Sequence, residues 1–170
     1  LQQNYQKLKS TLYFKTIRNI QRNNWLLLYL FGSSPFVSKN FLNSNLSFKK
    51  FGSSYYLPNA TSLRMSEMGY QNISQSHLYV SLNSAEEYSK DLIALTSMPS
   101  AEYSGIDNSK EYFQLNSNLL QIEAEYYAAS RPKSNISSEK RLTTKLINHG
   151  VDYIELRSID INPFSKIGID

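Results

Sequence analysis

Apolar residues in the first part of the chain return with the period of a helix. Tyr5, Leu8, Leu12, Ile17 and Ile20 stand three to five residues apart with Lys and Arg between them, which lays one apolar stripe along a cylinder. The spacing predicts a long amphipathic helix from about Gln3 to Phe31, ended by Gly32 and Pro35. Such a stripe has to be covered, and the chain offers sheet-forming segments to cover it. "HLYVSL" (His77 to Leu82), "LLQIEAEYY" (Leu119 to Tyr127) and "VDYIELRS" (Val151 to Ser158) alternate as strands do.

Helical segments separate these strands. Ser84 with Glu87 makes a capping-box pattern for a helix to about Ser97, and Pro99 suits the first position of a further short helix. Ser137 or Ser138 offers a cap for a helix carrying Leu142, Leu146 and Ile147, which Gly150 closes. Residues 33–60, rich in Ser, Asn, Gly and Pro, read as loop with one short helix near Phe41. Helices of unequal length and long loops give an α+β class rather than a regular βαβ series. No repeat or linker divides residues 1–170, which read as a single domain.

Composition narrows the function classes. Eighteen Lys and Arg against 14 Asp and Glu give a net charge of +4, but the basic residues are spread without a dense cluster, which argues against a nucleic-acid partner. With no cysteine, a disulfide scaffold and a thiolate metal site both drop out, and a reducing cytoplasm fits. The longest apolar run, "WLLLYLF" from Trp25 to Phe31, falls far short of the roughly 20 residues that span a bilayer, so no membrane partner is expected. Neither GxGxxG nor GxxxxGK[ST] occurs, so a bound nucleotide would need a site of another kind.

Two places carry candidate chemistry. In the last strand Glu155 and Arg157 are two residues apart and share a face with Val151 and Tyr153, while Ile154 and Leu156 take the other. As a solvated pair they would contribute about 0 to 1 kcal/mol. Within "YYLPNATSLRMSEMGYQNISQS" (Tyr55 to Ser76), Arg64 precedes Tyr70 by six residues, with Gly69 between. An arginine fork and a phenol hydroxyl together can clamp a small carboxylate, although on composition alone an Arg on a loop surface and a half-buried Tyr is the commoner arrangement.

Four blocks in order, "NNWLLLYLFGSSP", "YYLPNATSLRMSEMGYQN", "LQIEAEYYAASRPK" and "GVDYIELRSIDINPFSKIGID", closely resemble the bacterial glutamate–cysteine ligase family of the gammaproteobacterial type, over nearly the whole chain. The resemblance implies a fold related to glutamine synthetase, with a curved antiparallel sheet and flanking helices. It also implies the joining of L-glutamate to L-cysteine at the expense of ATP, with Mg²⁺, through a γ-glutamyl phosphate. Residue by residue, Glu155 matches the family's metal-ligand carboxylate and Arg157 the arginine that stabilises the transferring phosphoryl group. Arg64, Tyr70 and Tyr127 match residues of the cysteine pocket. Arg131 and Lys133 are expected to lend positive charge near nucleotide phosphates, a solvated loop being the alternative for both. Glu123 and Glu125 share the face of Tyr127 and are further candidates near the metal.

The sequence departs from the family in three ways. Ala124 stands where Asn is usual, "AAS" at 128–130 replaces a proline-containing segment, and the family's Gly-Ile-Glu-Arg-Glu motif with its further carboxylates has no counterpart here. The chain opens at Leu1 and stops at Asp170 straight after an Asn-Pro turn, so a central, partial catalytic domain is expected, its partners being the missing N- and C-terminal segments of the same ligase. A degenerate remnant with only a structural or binding role is the alternative.

Overall fold

A computed structural model describes residues 2–42, 46–69, 75–105 and 114–169. The described residues form helices α1 (Gln2–Arg22), α2 (Asn24–Phe31), α3 (Ala85–Ser97), α4 (Ala101–Ser104) and α5 (Leu142–His149) and two small antiparallel sheets. Strands β1 (Phe36–Ser38), β2 (Lys49–Phe51) and β3 (Ser54–Tyr56) pair in the order β1-β3-β2, while β4 (Ser130–Lys133) pairs with β5 (Tyr153–Leu156). The expected mixture of helix and sheet is present.

The expected single N-terminal helix is nicked at Asn23. The Asn23 N–H keeps the ordinary helical bond to the Asn19 carbonyl at 3.0 Å, while its side-chain amide donates to the same oxygen at 2.8 Å, and this side-chain bond competes with continuation of the helix. The buried stripe is also rotated from the expected one. Ser10, Phe14 and Ile17 face inward, whereas Tyr5, Leu8 and Leu12 stay exposed.

The core joins Phe14 to Tyr88, Leu92 and Leu95 of α3, Leu146 of α5, and Val80, Leu120 and Val151. Full burial of each large apolar side chain contributes about 1.5–3 kcal/mol, and the Phe14 and Tyr88 rings meet at 5.7 Å. The Ser84 hydroxyl accepts from the Glu87 N–H at 3.1 Å, as the capping pattern required. Glu87 itself turns to the Ser81 hydroxyl and the Asn83 amide instead of closing the box.

Two expected strands are absent. Residues 77–82 run as irregular chain, their backbone served by side chains: the Ser81 N–H donates to Asp91 and Arg18 donates to the Leu82 carbonyl. Residues 119–127 hold a 3₁₀ turn at Glu123–Glu125, and Ile122 is exposed although Leu120 is buried. The strand lies just beyond, at β4.

Within β4–β5, Ser130 faces Leu156, Arg131 faces Glu155, Pro132 faces Ile154 and Lys133 faces Tyr153. Bonds from the Arg157 N–H to Ala129 and from the Asp152 N–H to Lys133 extend the pairing at both ends, each 2.8 Å. The strand is set by its flanks more than by its alternation, since Val151, Ser158 and Asp160 are buried while Leu156 is 44% exposed. Gly150 starts the segment at φ +77, and a Cβ there would meet the Ser10 hydroxyl at 2.5 Å. That hydroxyl accepts from the Val151 N–H at 3.0 Å, and Lys9 pairs with Asp152 at 3.0 Å. Only glycine admits the helix this close.

Among the described residues no helix is long and apolar enough to cross a membrane. Exposed apolar side chains gather at Trp25, Tyr29 and Leu30 on α2 and at Ile161, Phe164 and Ile167 after β5.

Candidate active site

The β4–β5 ladder brings charges from two distant stretches onto one face. Arg131 and Glu155 are direct cross-strand partners, so their side chains share a side of the sheet, with Lys133 two residues along. The Lys133 ammonium lies 3.3 Å from Glu155 Oε2. That oxygen is shielded from solvent yet makes no aligned hydrogen bond; the pair is a charge contact and no more. Arg131 and Lys133 therefore belong to a strand, which overturns the solvated-loop alternative for both. Arg131 is 5% exposed and donates to the Ala124 carbonyl at 3.0 Å. Burial raises the phenol pKa of both Tyr88 and Tyr126, with the Arg131 charge opposing the rise in each.

Glu123 and Glu125, the other candidate carboxylates, are engaged within the chain. Glu123 accepts from the Thr143 N–H at 3.0 Å and from its hydroxyl at 2.6 Å, closing the start of α5. Glu125 accepts from the Gln121 N–H at 2.6 Å. Among the described residues no group of three His, Asp or Glu side chains is placed to hold a metal ion.

Arg157 stands beyond the end of β5 with its guanidinium over the Tyr127 ring, 5.4 Å from the centroid, a cation–π arrangement. The Tyr127 hydroxyl reaches Met65 Sδ at 3.6 Å. Gln75 fixes the Tyr127 backbone, accepting from its N–H at 2.8 Å and donating to the Glu125 carbonyl at 3.0 Å.

Arg64 lies behind this group and has a carboxylate partner from the chain itself. Its Nε donates to Asp160 Oδ1 at 2.6 Å, and its Nη2 to the carbonyls of Arg157 and Ile159 at 3.2 and 3.1 Å. It also lines a cavity of about 440 Å³, with Phe36, Val37, Leu63 and Met68. Gly69 completes the wall, packed so tightly on the Arg64 carbonyl that no side chain fits there. Tyr70 lies outside the described residues. A larger cavity of about 550 Å³ opens between α1 and α5 over Ser10 and Asp152; it shares no residue with the Arg64–Tyr127–Arg157 group.

Asp160 was not singled out by sequence reasoning. Its position in "SIDINP" looks like an ordinary loop acid, and its partners lie about a hundred residues away. Burial alone would raise its carboxyl pKa, but donors from Arg64, Ser34, the Ser33 N–H and Ser62 outweigh that and hold it below its usual value. Asp152 is lowered likewise, chiefly by the Asn135 N–H, with Lys9 and Ser134 adding. Carboxyls depressed by folding stabilise the chain fully above their unfolded value near pH 4, and that contribution is lost as pH falls through the lower folded value. Thermal melts should therefore show a midpoint that falls as pH drops below about 4, and Asp160→Asn should flatten the slope. A midpoint equally steep in that variant would contradict the assignment.

A buried Arg131 and a half-buried Lys133 thus stand beside a carboxylate on the facing strand, with a small cavity beside Arg64. The sequence matches the family model described as Glutamate-cysteine ligase over residues 1–170, and the chain belongs to that family. A glutamate–cysteine ligase of Vibrio vulnificus (strain CMCP6) is 46% identical over 169 residues, covering 96% of this chain and 32% of that protein. One from Edwardsiella ictaluri is 46% identical over 163 residues, covering 93% of this chain and 31% of that protein. The crystal structure of the Francisella tularensis glutamate–cysteine ligase in complex with AMP superposes with a TM-score of 0.82 at 37% identity, over 95% of this chain and 33% of that one. The chain thus spans about a third of the length of the curated relatives it matches.

Proposed function

We propose that this chain forms the central part of an enzyme that joins the γ-carboxylate of L-glutamate to the amine of L-cysteine, the first step of glutathione synthesis, consuming ATP. The observation that carries the reading is the placing of Arg157, Lys133 and Glu155 about one strand pair, beside a cavity walled by Arg64. The AMP bound by the Francisella relative supports a nucleotide substrate. The fold is read as a portion of a glutamine-synthetase-like sheet, and the absence of cysteine supports a cytoplasmic setting.

In this reading a γ-carboxylate oxygen of glutamate attacks the terminal phosphorus of ATP, the bond to the bridging oxygen breaks and ADP leaves. The cysteine amine then attacks the acyl carbon, the C–N bond forms, phosphate departs and the amine proton passes to it or to solvent. Arg157 faces the charge that spreads over the moving phosphoryl oxygens, where a preorganised cation is most effective. Tyr127 holds the guanidinium from below and, with Arg64 and Tyr70, lines the cysteine side. Lys133 lends charge to the nucleotide phosphates, and Arg131, being buried, acts on them through its field.

Mg²⁺ suits one position here. Glu155 Oε2, shielded and without an aligned hydrogen bond, is a hard oxygen ligand of the type Mg²⁺ takes. When bound, the metal would supply positive charge against the phosphate oxygens. Mg²⁺ is commonly held by one or two carboxylates, with waters and substrate phosphates filling its six positions, and Glu123 and Glu125 are engaged elsewhere. Any further carboxylate ligand is therefore assigned to the two thirds of the family's length outside this chain. The exposed apolar side chains of α2 and of Ile161, Phe164 and Ile167 suit cover by the same parts.

ADP release with Mg-ATP and glutamate, with and without cysteine, tests the reading on the full reading frame that contains this sequence. Cysteine-dependent release is expected; none would favour the degenerate remnant.

A further inference from the structure

Asp160 is 3% exposed at its side chain, and each of its oxygens is engaged. Oδ2 accepts from the Ser33 N–H at 2.9 Å and the Ser34 hydroxyl at 2.7 Å, while Oδ1 accepts from Arg64 Nε at 2.6 Å. A buried carboxylate is held this way only where its donors are fixed. Here the donors come from the turn after α2 and from the Arg64 loop, so the acid ties both to the segment leaving β5.

The tie reaches Arg157 through its backbone. With Nε committed to Asp160, the planar guanidinium of Arg64 aims Nη2 at the Arg157 carbonyl, a direction the rigid fork fixes. On its other side the Arg157 N–H donates to Ala129 at 2.8 Å, two residues after Tyr127. The peptide units flanking the Arg157 Cα are therefore held from opposite sides, one by the Asp160–Arg64 pair and one by the strand that follows Tyr127. The side chain that leaves this Cα lies over the Tyr127 ring.

We propose that Asp160 is a positioning residue for Arg157: through Arg64 it fixes the peptide from which the phosphoryl-facing guanidinium projects, and it touches no substrate itself. The inference rests on the role given to Arg157 above. A residue that only supported the fold would lower the melting temperature and leave turnover below that temperature unchanged, whereas one acting through Arg157 changes kcat and couples to it.

The test uses the full-length ligase with Asp160→Asn, Arg157→Lys and the double variant, reading kcat, KM for ATP and thermal melts. Asp160→Asn is expected to lower kcat by about tenfold or more, and the double variant to be no slower than Arg157→Lys alone, because a displaced and a shortened cation fail in the same step. Full kcat in a folded Asp160→Asn, or losses that multiply in the double variant, would overturn the proposal. If Asp160→Asn does not fold, Ser34→Ala removes one donor to the same carboxylate and keeps its charge. A kcat loss of about threefold that disappears in the Arg157→Lys background supports the proposal, and an unchanged kcat overturns it. Should Arg157→Lys itself run at full rate, the reading of Arg157 has failed and the proposal falls with it. A slow Arg157→Lys beside a full-rate Asp160→Asn overturns this inference alone.

Discussion

Arg157→Ala in the intact ligase should lower kcat by about 10³-fold or more, the scale on which a cation facing a transferring phosphoryl group acts. The reason is geometric as well as electrostatic. The guanidinium is held over Tyr127 and its own peptide is fixed from both sides, so little reorganisation is needed when charge develops. Substrate binding before the reaction depends less on this group, and KM for glutamate should shift far less than kcat. Tyr127→Phe keeps the ring face and should retain most of kcat. Steady-state kinetics with each substrate varied in turn decides the matter; a variant with near-normal turnover would remove Arg157 from the chemistry and leave the pair with Tyr127 as packing.

Glu155→Gln carries the second large effect. The substitution preserves shape and removes the negative charge, so the Lys133 ammonium at 3.3 Å loses its counter-charge and a hard ligand becomes a weak one. The Mg²⁺ concentration for half-maximal rate should rise by about ten- to a hundredfold, as when metal sites lose one supporting group, with turnover falling at fixed Mg²⁺. Titrating MgCl₂ at constant free ATP separates this from a simple loss of activity. An unchanged metal requirement would return Glu155 to the role of a surface ion pair, which at its exposure contributes about 0 to 1 kcal/mol.

The sequence made some of this arrangement legible, and physical reasons account for the rest. Strand β5 was readable because alternation, the closing Gly150 and the preceding helix agree. Its partner β4 was not, since Pro132 argues against a strand and is accommodated in this two-stranded ladder. Residues 77–82 and 119–127 alternate well yet find side-chain donors and acceptors in place of a neighbouring strand. The three strands of residues 36–56 are three residues each, too short for alternation to register. Their one local signal was Gly52-Ser53 between Phe51 and Ser54, a two-residue hairpin turn with Gly52 at φ +58. In the site, Glu155 and Arg157 could be chosen from spacing and resemblance. The acid that occupies Arg64 could not, for it lies 96 residues further on.

The contact of Ser10 and Lys9 with Val151 and Asp152 has a bearing on how the molecule comes into being. The two hydrogen bonds close loops of 141 and 143 residues, among the longest separations a chain of this size can offer. On a ribosome α1 emerges well before Val151 and Asp152, so neither bond can form while the helix itself is being made. Until they form, α1 rests only on partners made earlier, such as Tyr88 against Phe14, and long-range closures of this kind slow folding and leave apolar surface open to other chains. The docking of α1 is thus complete only once Val151 and Asp152 are in place, and it marks the moment at which the strand bearing Glu155 is locked in place.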